Sequence, residues 1–460
     1  MVFSVVLVIG YIMVLGFVAV RARAAREYAE FSLARRALPL ALIFGSLCAA
    51  YVGPGFSIGF VGKGFQSGLL FLCVGLAYAT QNILVGVFIA PRLRSLSDCH
   101  TLGDAIGHKY NRTCQILAGV ISVGLCAGFA AVMAKAAGVV VQEVFGVPMR
   151  IAVVLIVLIT TLYTTFGGLR ASVMTDALQF TLFTILMPAI FLFVLIFRTE
   201  GATATLTREV VAATSTGFRS MSPVQIIGLI AAFLLGETLI PPYANRALAT
   251  QTTGASRNSF VLAGLFSIVW FAMMIALGIV ARPMVAEGTH EDHVLLTLVK
   301  TTMPMEGYVL LLVALISVIM SSLDSLLNAG AVSFTQDIVR PLAKVSDRGS
   351  LLCGRVATVT LAALAAAAAV AVPSIINGLL ICYTVWAPAI LPAAVLGLWL
   401  RKPRPLAGIL SMVTGATVAL LLQFVWPNAT EIPPILLALA ASLAAYLLGH
   451  SLAGCSLEHR

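Results

Sequence analysis

Apolar runs of about 20 residues recur along the whole 460-residue chain, and a run of that length crosses a bilayer as one helix. Only 10% of the residues are charged, whereas a soluble domain carries about 25%. No run has the alternating pattern of a barrel strand. The sequence therefore predicts an all-α polytopic membrane protein. We predict thirteen spans, at roughly 2–20, 38–60, 68–90, 114–142, 148–166, 169–197, 223–247, 258–281, 306–334, 353–372, 374–400, 405–425 and 432–450.

The basic residues are distributed unevenly between alternate loops. Of the 28 lysines and arginines, 20 fall on one side of the predicted spans, seven fall on the other, and Lys135 lies within a helix. Cytoplasmic loops carry such an excess of positive charge. We therefore expect a multi-pass protein of the inner (plasma) membrane, with its N-terminus outside and its C-terminus in the cytoplasm. The net charge of +10 reports this topology, and we expect the lipid bilayer, not a nucleic acid, as partner.

Two predicted spans carry helix-breaking residues near their middle. The second contains the sequence Gly-Pro-Gly at 53–55, and the seventh contains Gly236 and the proline pair at 241–242. Counted from the second span, these are the first and sixth of ten helices. Matched breaks in two halves indicate a transporter site within an inverted repeat, although kinking for packing is an alternative. We predict one transporter domain over 1–460, divided into an N-terminal helix at 2–20, five-helix repeats at 38–197 and 223–400, and C-terminal helices at 405–450.

Hydroxyl and carboxyl groups interrupt the ninth span, where each is costly in a bilayer. They belong to Ser321, Ser322, Asp324 and Ser325. From the cytoplasmic end of the span, the serine pair lies about 18 Å deep and Asp324 about 15 Å, at the rise of an α-helix. In the sixth span, Asp176 lies about 10 Å deep by the same rise. The similar depths predict that these oxygens converge.

The first break adds a third kind of oxygen ligand, because the carbonyls of 49–53 lose their helical partners there. The basic residue that we assign near the two aspartates is Arg170, close to the surface, so we expect no basic partner for them within the membrane. We therefore favour a site for a monovalent cation. The alternative is that the serines allow close helix packing and the aspartates cap or pair locally. Oxygen ligands alone would suit sodium, lithium or protons.

Four stretches resemble the sodium:solute symporter family, which includes proline, pantothenate, sialic acid, sugar, choline and monocarboxylate symporters. They are TTFGGLRASVMTDALQF (164–180), IMSSLDSLLNAGAVSFTQDIV (319–339), FIAPRLRSLSDCHTLGDAIGHKYNR (88–112) and YVGPGFSIGFVGKGF (51–65). The resemblance covers nearly the whole chain. It implies ten core helices in two inverted repeats, with sodium driving alternating access.

Matched residue by residue, the resemblance also implies two groups of sodium ligands. The main site falls on the carbonyls of Ala49, Val52 and Val318 and the hydroxyls of Ser321 and Ser322. The second site, which some members of the family have, falls on Asp176, Asp324 and Ser325. Sodium is thus the expected coupling ion by resemblance.

Polar and aromatic side chains between the two breaks are candidate substrate ligands: Tyr51, Ser57, Gln81, Asn82, Lys135, Glu237, Tyr243, Tyr383 and Trp386. Lys135 lies about 10 Å from the outer end of its helix. There it either extends to the surface or binds an anionic group of the substrate. The second role is similar to that of sialic acid symporters, which use a basic residue on the same helix. Glu237 is expected to pair with Lys135, hold a substrate amine or carry a proton.

The stretch GETLIPPYANR resembles the choline-transporter pattern G-D-x-x-W-x-x-Y-x-x-R, in which an aromatic cage binds the cation. Tyr51 and Trp386 would supply two walls of the cage, but Ile240 replaces the expected tryptophan. The positive charge of Lys135 would also repel a cationic solute. We therefore expect sodium-coupled symport of a small carboxylate-bearing solute, such as an amino acid or small organic acid. The alternatives are a choline-like or sugar symporter, or an uncoupled uniporter or channel.

The chain has no long soluble insertion, since its longest polar stretches are 92–112, 198–222, 282–305 and 337–352. It also lacks the glycine-rich phosphate loop of ATP-driven proteins. We therefore expect neither enzymatic activity nor direct coupling to ATP. A membrane sensor that has lost its output domain is a further alternative, but such a sensor needs no ion site.

Overall fold

The computed structural model describes residues 10–11, 13–14, 25–198, 203–427 and 430–458. These residues are mainly helical, and their one β-type pairing is an isolated parallel bridge between Leu38 and Thr250. The predicted all-α fold is thus confirmed. The predicted span at 2–20 lies almost entirely outside the described residues.

From residue 25 to residue 219, the described part of the chain contains nine α-helices. They are α1 (Tyr28–Leu33), α2 (Leu40–Tyr51), α3 (Phe60–Ser67), α4 (Leu70–Leu84), α5 (Ala90–Arg94), α6 (Leu102–Lys109), α7 (Arg112–Phe145), α8 (Met149–Arg198) and α9 (Thr203–Arg219). A 3₁₀ turn, Ala34–Arg36, follows α1. The π-helical turns Gly55–Gly59 and Val85–Ile89 lead directly into α3 and α5.

The second half contains ten α-helices. They are α10 (Pro223–Leu235), α11 (Pro241–Ala249), α12 (Thr253–Val280), α13 (Val294–Thr302), α14 (Met305–Ser333), α15 (Arg340–Leu342), α16 (Asp347–Ala369), α17 (Ile375–Trp399), α18 (Pro405–Leu420) and α19 (Pro434–Glu458). A 3₁₀ turn, Glu291–His293, precedes α13, and the π-helical turns Phe334–Val339 and Leu421–Val425 follow α14 and α18.

The predicted count of thirteen spans is not confirmed. Within the described residues, nine helices are long and apolar enough to cross a membrane, or eleven if each of two sharply bent helix pairs is one span. The predicted fifth and sixth spans lie in α8, which consists of two helices joined across a kink at Gly168 (φ 61°, ψ −164°), between the two predicted spans. The predicted seventh span is divided between α10 and α11, whose 13 and 9 residues are individually too short to cross a bilayer.

Both predicted helix breaks are present. α2 ends at Tyr51, and the helix that resumes at Gly55 is tilted from it by 53°. At this break the amide of Gly53 donates to the carbonyl of Ala50, 3.2 Å away, and not to that of Ala49. At the second break, Leu239 adopts φ 55° before α11 begins at Pro241. Each break therefore leaves backbone groups free in the protein interior.

The helix that carries the serines and Asp324 lies at the centre of the molecule. In α14 every residue from Leu311 to Ser333 is buried, and the helix packs against α7, α8 and α16. By contrast, only about a third or less of the most apolar part of α18 and of α19 is buried. A helix that is apolar and buried on all sides forms a core. The predicted ion-site residues are therefore shielded from lipid.

Candidate functional site

A small cavity lies where the two broken helices meet α14. Its volume is about 40 Å³, and its lining includes Gly53 and Pro54 from the first break, Glu237 and Tyr243 from the second, and Ser322 from α14. Pockets that bind metabolites typically measure about 300–1,000 Å³. Binding of an organic solute would therefore require the surrounding helices to move apart.

Of the residues predicted for the main sodium site, Ser322 lines this cavity, and Val52 is adjacent in sequence to the lining residue Gly53. The amide of Phe56 donates to Gly53, so the carbonyl of Val52 is free to accept a 2.6 Å hydrogen bond from the hydroxyl of Ser57. The hydroxyl of Ser322 is buried and has no hydrogen-bond partner among the described residues. A Cβ atom placed on Gly53 would lie 3.1 Å from this hydroxyl. The first break and the serine pair are thus in close contact.

Asp176 is fully buried on α8, and both of its carboxylate oxygens accept hydrogen bonds. Oδ1 accepts from the hydroxyl of Ser321. Oδ2 accepts from the hydroxyl of Ser46 on α2 and from Nη2 of Arg246, which is 2.8 Å away. Asp176 and Ser321, which we predicted to converge, are therefore in direct contact.

Asp324 forms the second half of the same polar cluster. Its Oδ1 accepts hydrogen bonds from Ser172 at 2.8 Å and from Ser325 at 3.1 Å. Its Oδ2 is buried, and the phenol of Tyr163 lies close to the carboxylate. The hydroxyl of Ser325 in turn accepts a 2.7 Å bond from Nη2 of Arg246. One guanidinium nitrogen thus links the side chains around the two carboxylates.

The expectation that the aspartates lack a basic partner within the membrane is wrong. Arg246 lies on α11, its side chain is 1% exposed, and it forms a salt bridge with Asp176. Its Nε donates to Ser46 at 2.7 Å and its Nη1 to the carbonyl of Pro242 at 3.1 Å. Arg246 is the final residue of GETLIPPYANR, where it follows an interrupted span. An arginine there can turn into the protein, because the break shortens the helix on which it lies.

Three tyrosines surround the carboxylate of Glu237 at the second break. Oε2 accepts hydrogen bonds from the phenols of Tyr78 and Tyr243, the latter at 2.7 Å, and Oε1 accepts one from Tyr383 at 2.6 Å. Tyr51 packs edge-on against Tyr243, with 5.0 Å between ring centroids. We call Glu237 with Tyr51, Tyr78, Tyr243 and Tyr383 the tyrosine cage. No single-sequence signal marked Tyr78, because its register on α4 depends on tertiary packing.

The remaining predicted substrate residues lie outside the small cavity. Ser57 bonds to the first break, and the indole of Trp386 donates to the carbonyl of Thr238 at 3.0 Å. Gln81 borders a separate apolar cavity, and the amide nitrogen of the adjacent Asn82 is buried without a partner among the described residues. Lys135 is not among the residues that line the central cavity. Of the three roles considered for Glu237, the structure does not show pairing with Lys135: among the described residues, its carboxylate bonds to Tyr78, Tyr243 and Tyr383.

Polar contacts hold together one end of the bundle, above the central cavity. Lys63 on α3 forms a 2.5 Å salt bridge with Glu291, and Asp292 accepts from the amide of Ile375 at the start of α17. Burial raises the pKa of Asp292, and the charge of Lys135 opposes that rise. Lys135 is therefore close to this end of the bundle, which we predict to face outward.

Three comparisons place the chain among known transporters. The profile of the sodium:solute symporter family matches residues 31–415. A sodium/glucose cotransporter of Vibrio parahaemolyticus is 24% identical over 86% of this chain and 79% of its own length. A sodium/pantothenate symporter of Haemophilus influenzae is 26% identical over 76% of this chain and 75% of its own.

The fold has a close counterpart among solved structures. A Na⁺-coupled sialic acid symporter in a substrate-bound, outward-open state superimposes with a TM-score of 0.84 at 16% identity, over 98% of each chain. These relatives are transporters and not enzymes, they couple to sodium, and their fold accounts for the many apolar helices. The chain is thus a multi-pass membrane transporter of the sodium-coupled type, and it belongs to the sodium:solute symporter family.

Proposed function

We propose that the chain imports a small organic solute together with Na⁺ by alternating access, and that the solute is an amino acid or a similar carboxylate-bearing metabolite. The position of the central cavity carries this proposal. Both broken helices border the cavity, and Ser322 lies in its wall. Ion and solute would therefore bind against the same movable helix segments, which is the physical requirement for coupling.

The proposed main sodium site consists of the carbonyls of Ala49, Val52 and Val318 with the hydroxyls of Ser321 and Ser322. Two features support it. The break at Gly53 frees carbonyls from helical pairing, and the buried hydroxyl of Ser322 has no partner among the described residues. A buried polar group without a partner is costly, and a bound cation would offset that cost.

The proposed solute carries an amine as well as a carboxylate. Glu237 lines the cavity, and its ionised form would attract an ammonium group. Helical segments begin beside the cavity at Gly55 and Pro241, and the N-terminal ends of half-helices favour anionic substrate groups. An amino acid satisfies both features. Recognition of its carboxylate would then depend on the helix ends and not on Lys135.

A choline-like cation is the second candidate solute. The tyrosine cage favours it, since aromatic faces and a carboxylate together bind quaternary ammonium groups. Neutral sugars are less well supported, because they would leave the charge of Glu237 unbalanced. Competition assays separate the candidates: a neutral amino acid and choline should differ in their ability to block uptake of a labelled amino-acid mixture.

We place the protein in the inner (plasma) membrane, with its N-terminus outside and its C-terminus in the cytoplasm. The repeats at 38–197 and 223–400 would move against each other around the cavity. The breaks after Tyr51 and Leu235 support this division, since each opens one of the proposed repeats.

Uptake by the purified protein in liposomes tests the proposal. We expect a labelled amino-acid mixture to accumulate when an inward Na⁺ gradient is imposed, and not when potassium replaces sodium. Equal uptake in the two buffers would instead indicate a uniporter or channel. Binding of solutes without accumulation would indicate a sensor.

Ser322→Ala should raise the sodium concentration for half-maximal uptake about tenfold, which corresponds to about 1.4 kcal/mol. The substitution removes one proposed ligand but breaks no hydrogen bond with a described residue, so folding should be retained. Ser333→Ala is a matched control, because Ser333 is also buried on α14 but lies about 16 Å further along the helix. An unchanged sodium dependence in Ser322→Ala would exclude this hydroxyl as a ligand.

A further inference from the structure

A cavity of about 550 Å³ lies at the surface of the bundle, apart from the central site. It is lined by α7, by α16 and by Phe334, which begins the π-helical turn after α14. The lining is mainly apolar, and Leu352 and Val356 on its α16 wall are 63% and 58% exposed. Because α16 is a candidate membrane span, this surface faces lipid. We call the cavity the α7–α16 groove.

The groove has the dimensions of a site for one hydrocarbon chain. Along α16 its lining extends from Gly349 to Leu364, which is about 22 Å at the rise of an α-helix. One leaflet contains about 15 Å of hydrocarbon, half the thickness of the bilayer core. The volume of the groove falls within the range of about 300–1,000 Å³ that is typical of ligand pockets. A single acyl chain can therefore lie in the groove from the interface to the midplane.

Two exposed arginines lie at the end of the groove that we place in the cytoplasm. Arg348 directly precedes the lining residue Gly349 on α16. Arg112 begins α7, and the lining residue Val123 lies 11 residues further, close to three turns, on the same face of that helix. Neither arginine forms a salt bridge with a described residue. Each wall of the groove thus ends in an unpaired positive charge.

The acidic residue next to Arg348 does not cancel this charge. Asp347 pairs with Arg340 at 3.4 Å and accepts a 3.1 Å hydrogen bond from the amide of Tyr28. Lys344, in the turn before α16, is also exposed and adds positive charge. The cytoplasmic leaflet is rich in anionic lipids, and basic pockets between helices on that side bind anionic headgroups. The charge and the apolar lining are therefore complementary to the two parts of an anionic lipid.

We propose that the α7–α16 groove binds one anionic phospholipid of the cytoplasmic leaflet. Its phosphate pairs with Arg112 and Arg348, and one acyl chain lies along α16. The proposal uses the topology of the proposed function and does not depend on sodium coupling. Phe334 lies in the turn that continues α14, the helix that carries Ser322. The bound chain therefore contacts the cytoplasmic end of the central helix and stabilises its position.

Native mass spectrometry of the purified, delipidated full chain in detergent tests the headgroup contacts. We expect one tightly bound phosphatidylglycerol per protein and weaker binding of the zwitterionic phosphatidylcholine. Arg112→Gln with Arg348→Gln should lower the affinity for phosphatidylglycerol about 30-fold, since each basic residue beside an anionic lipid contributes about fivefold. Arg401→Gln with Lys402→Gln is the matched control, because it removes the same charge from the exposed loop after α17. This control should bind phosphatidylglycerol like the parent chain.

Thr360→Trp tests the apolar part of the groove. Thr360 is exposed and lines the groove, so an indole at this position would occupy the space of the acyl chain. We expect the affinity for phosphatidylglycerol to fall about tenfold, which corresponds to about 1.4 kcal/mol. Val269→Trp is the matched control, because Val269 is 70% exposed on α12 and does not line the groove. It should leave lipid binding unchanged.

Equal affinities of the parent chain for the two lipids would overturn the proposal, and so would an unchanged affinity in the double arginine variant. A dimer that dissociates in Thr360→Trp without loss of lipid would also overturn it, because the groove would then be an interface between two copies. The arginine and Thr360 variants test separate parts of the groove, so either decides if the other does not fold. Lipid binding is measured without sodium or solute, so a negative result leaves the proposed transport function untouched.

Discussion

Asp176→Asn is expected to destabilise the protein by about 3–5 kcal/mol, because it leaves the buried guanidinium of Arg246 without a counter-ion. Asparagine keeps the size of the side chain and the acceptor for Ser321, so the loss of stability reports the effect of removing the negative charge. The salt bridge is fully enclosed, with exposures of 1% and 0% for its two side chains. The measurement is thermal unfolding of the purified protein in detergent, at a fixed sodium concentration.

Two further variants distinguish the ion pair from a general effect of the substitution. Adding Arg246→Gln to Asp176→Asn removes both charges. This double variant should recover most of the lost stability, because replacing a buried ion pair by neutral groups often changes stability little. Asp98→Asn is the matched control, because Asp98 is exposed and its substitution should change stability by less than about 0.5 kcal/mol. A stable Asp176→Asn would show that another carboxylate balances the charge of Arg246 or that the guanidinium reaches solvent.

The features of the fold that could be predicted from the sequence are those with local causes. Apolar length predicts a membrane helix, and the prolines at 54 and 241–242, beside glycines, mark the two helix breaks because each proline lacks an amide donor and crowds the preceding turn. The boundary between the predicted fifth and sixth spans is a kink and not a loop: Gly168, at φ 61°, separates two helices that otherwise follow each other directly in α8. Helix α9 replaces much of the predicted polar stretch at 198–222. It packs on α3 and α12, and such tertiary support is invisible in local composition.

The candidate site also has some features that follow from local sequence and others that depend on tertiary packing. Depth along two helices was enough to predict that Asp176 and Ser321 would lie close together, because rise per residue is constant. Arg246 lies 70 residues from Asp176 in sequence. The burial of Arg246 depends on the residue at which the helix resumes after the second break, and the periodicity of the sequence does not predict that residue. The tyrosine cage combines residues of α2, α4, α11 and α17, so only the packed structure shows its assembly.

The two carboxylate centres have different surroundings, and we infer different roles from them. Asp176 is neutralised by a fixed guanidinium, so its charge is unavailable to a solute. Glu237 is surrounded by phenols and forms no salt bridge with a described residue. Phenol donors stabilise an ionised carboxylate without cancelling its charge. Of the two, Glu237 is therefore the better placed to attract a cationic group that enters the cavity.

Glu237→Gln should raise the KM for an amine-bearing solute about 30- to 150-fold, because a hydrogen bond between charged groups contributes about 2–3 kcal/mol. Glutamine has nearly the same shape and still accepts a phenol bond, so the cage should remain intact. Sodium binding, measured without solute, should be unchanged, because the proposed sodium ligands do not include Glu237. The assay is sodium-driven uptake of a neutral amino acid into liposomes.

Glu143→Gln is a matched control, since Glu143 also accepts a phenol bond, from Tyr308 at 2.9 Å, but pairs with Lys300 far from the cavity. This variant should transport like the parent chain. A second comparison uses solutes: the 2-hydroxy acid that corresponds to the amino acid lacks the ammonium group, so Glu237→Gln should affect its uptake much less. Equal losses for the two solutes would mean that Glu237 supports the cage and does not bind an amine. An unchanged KM for the amino acid would remove Glu237 from the substrate site, and recognition would then depend on the helix ends at Gly55 and Pro241.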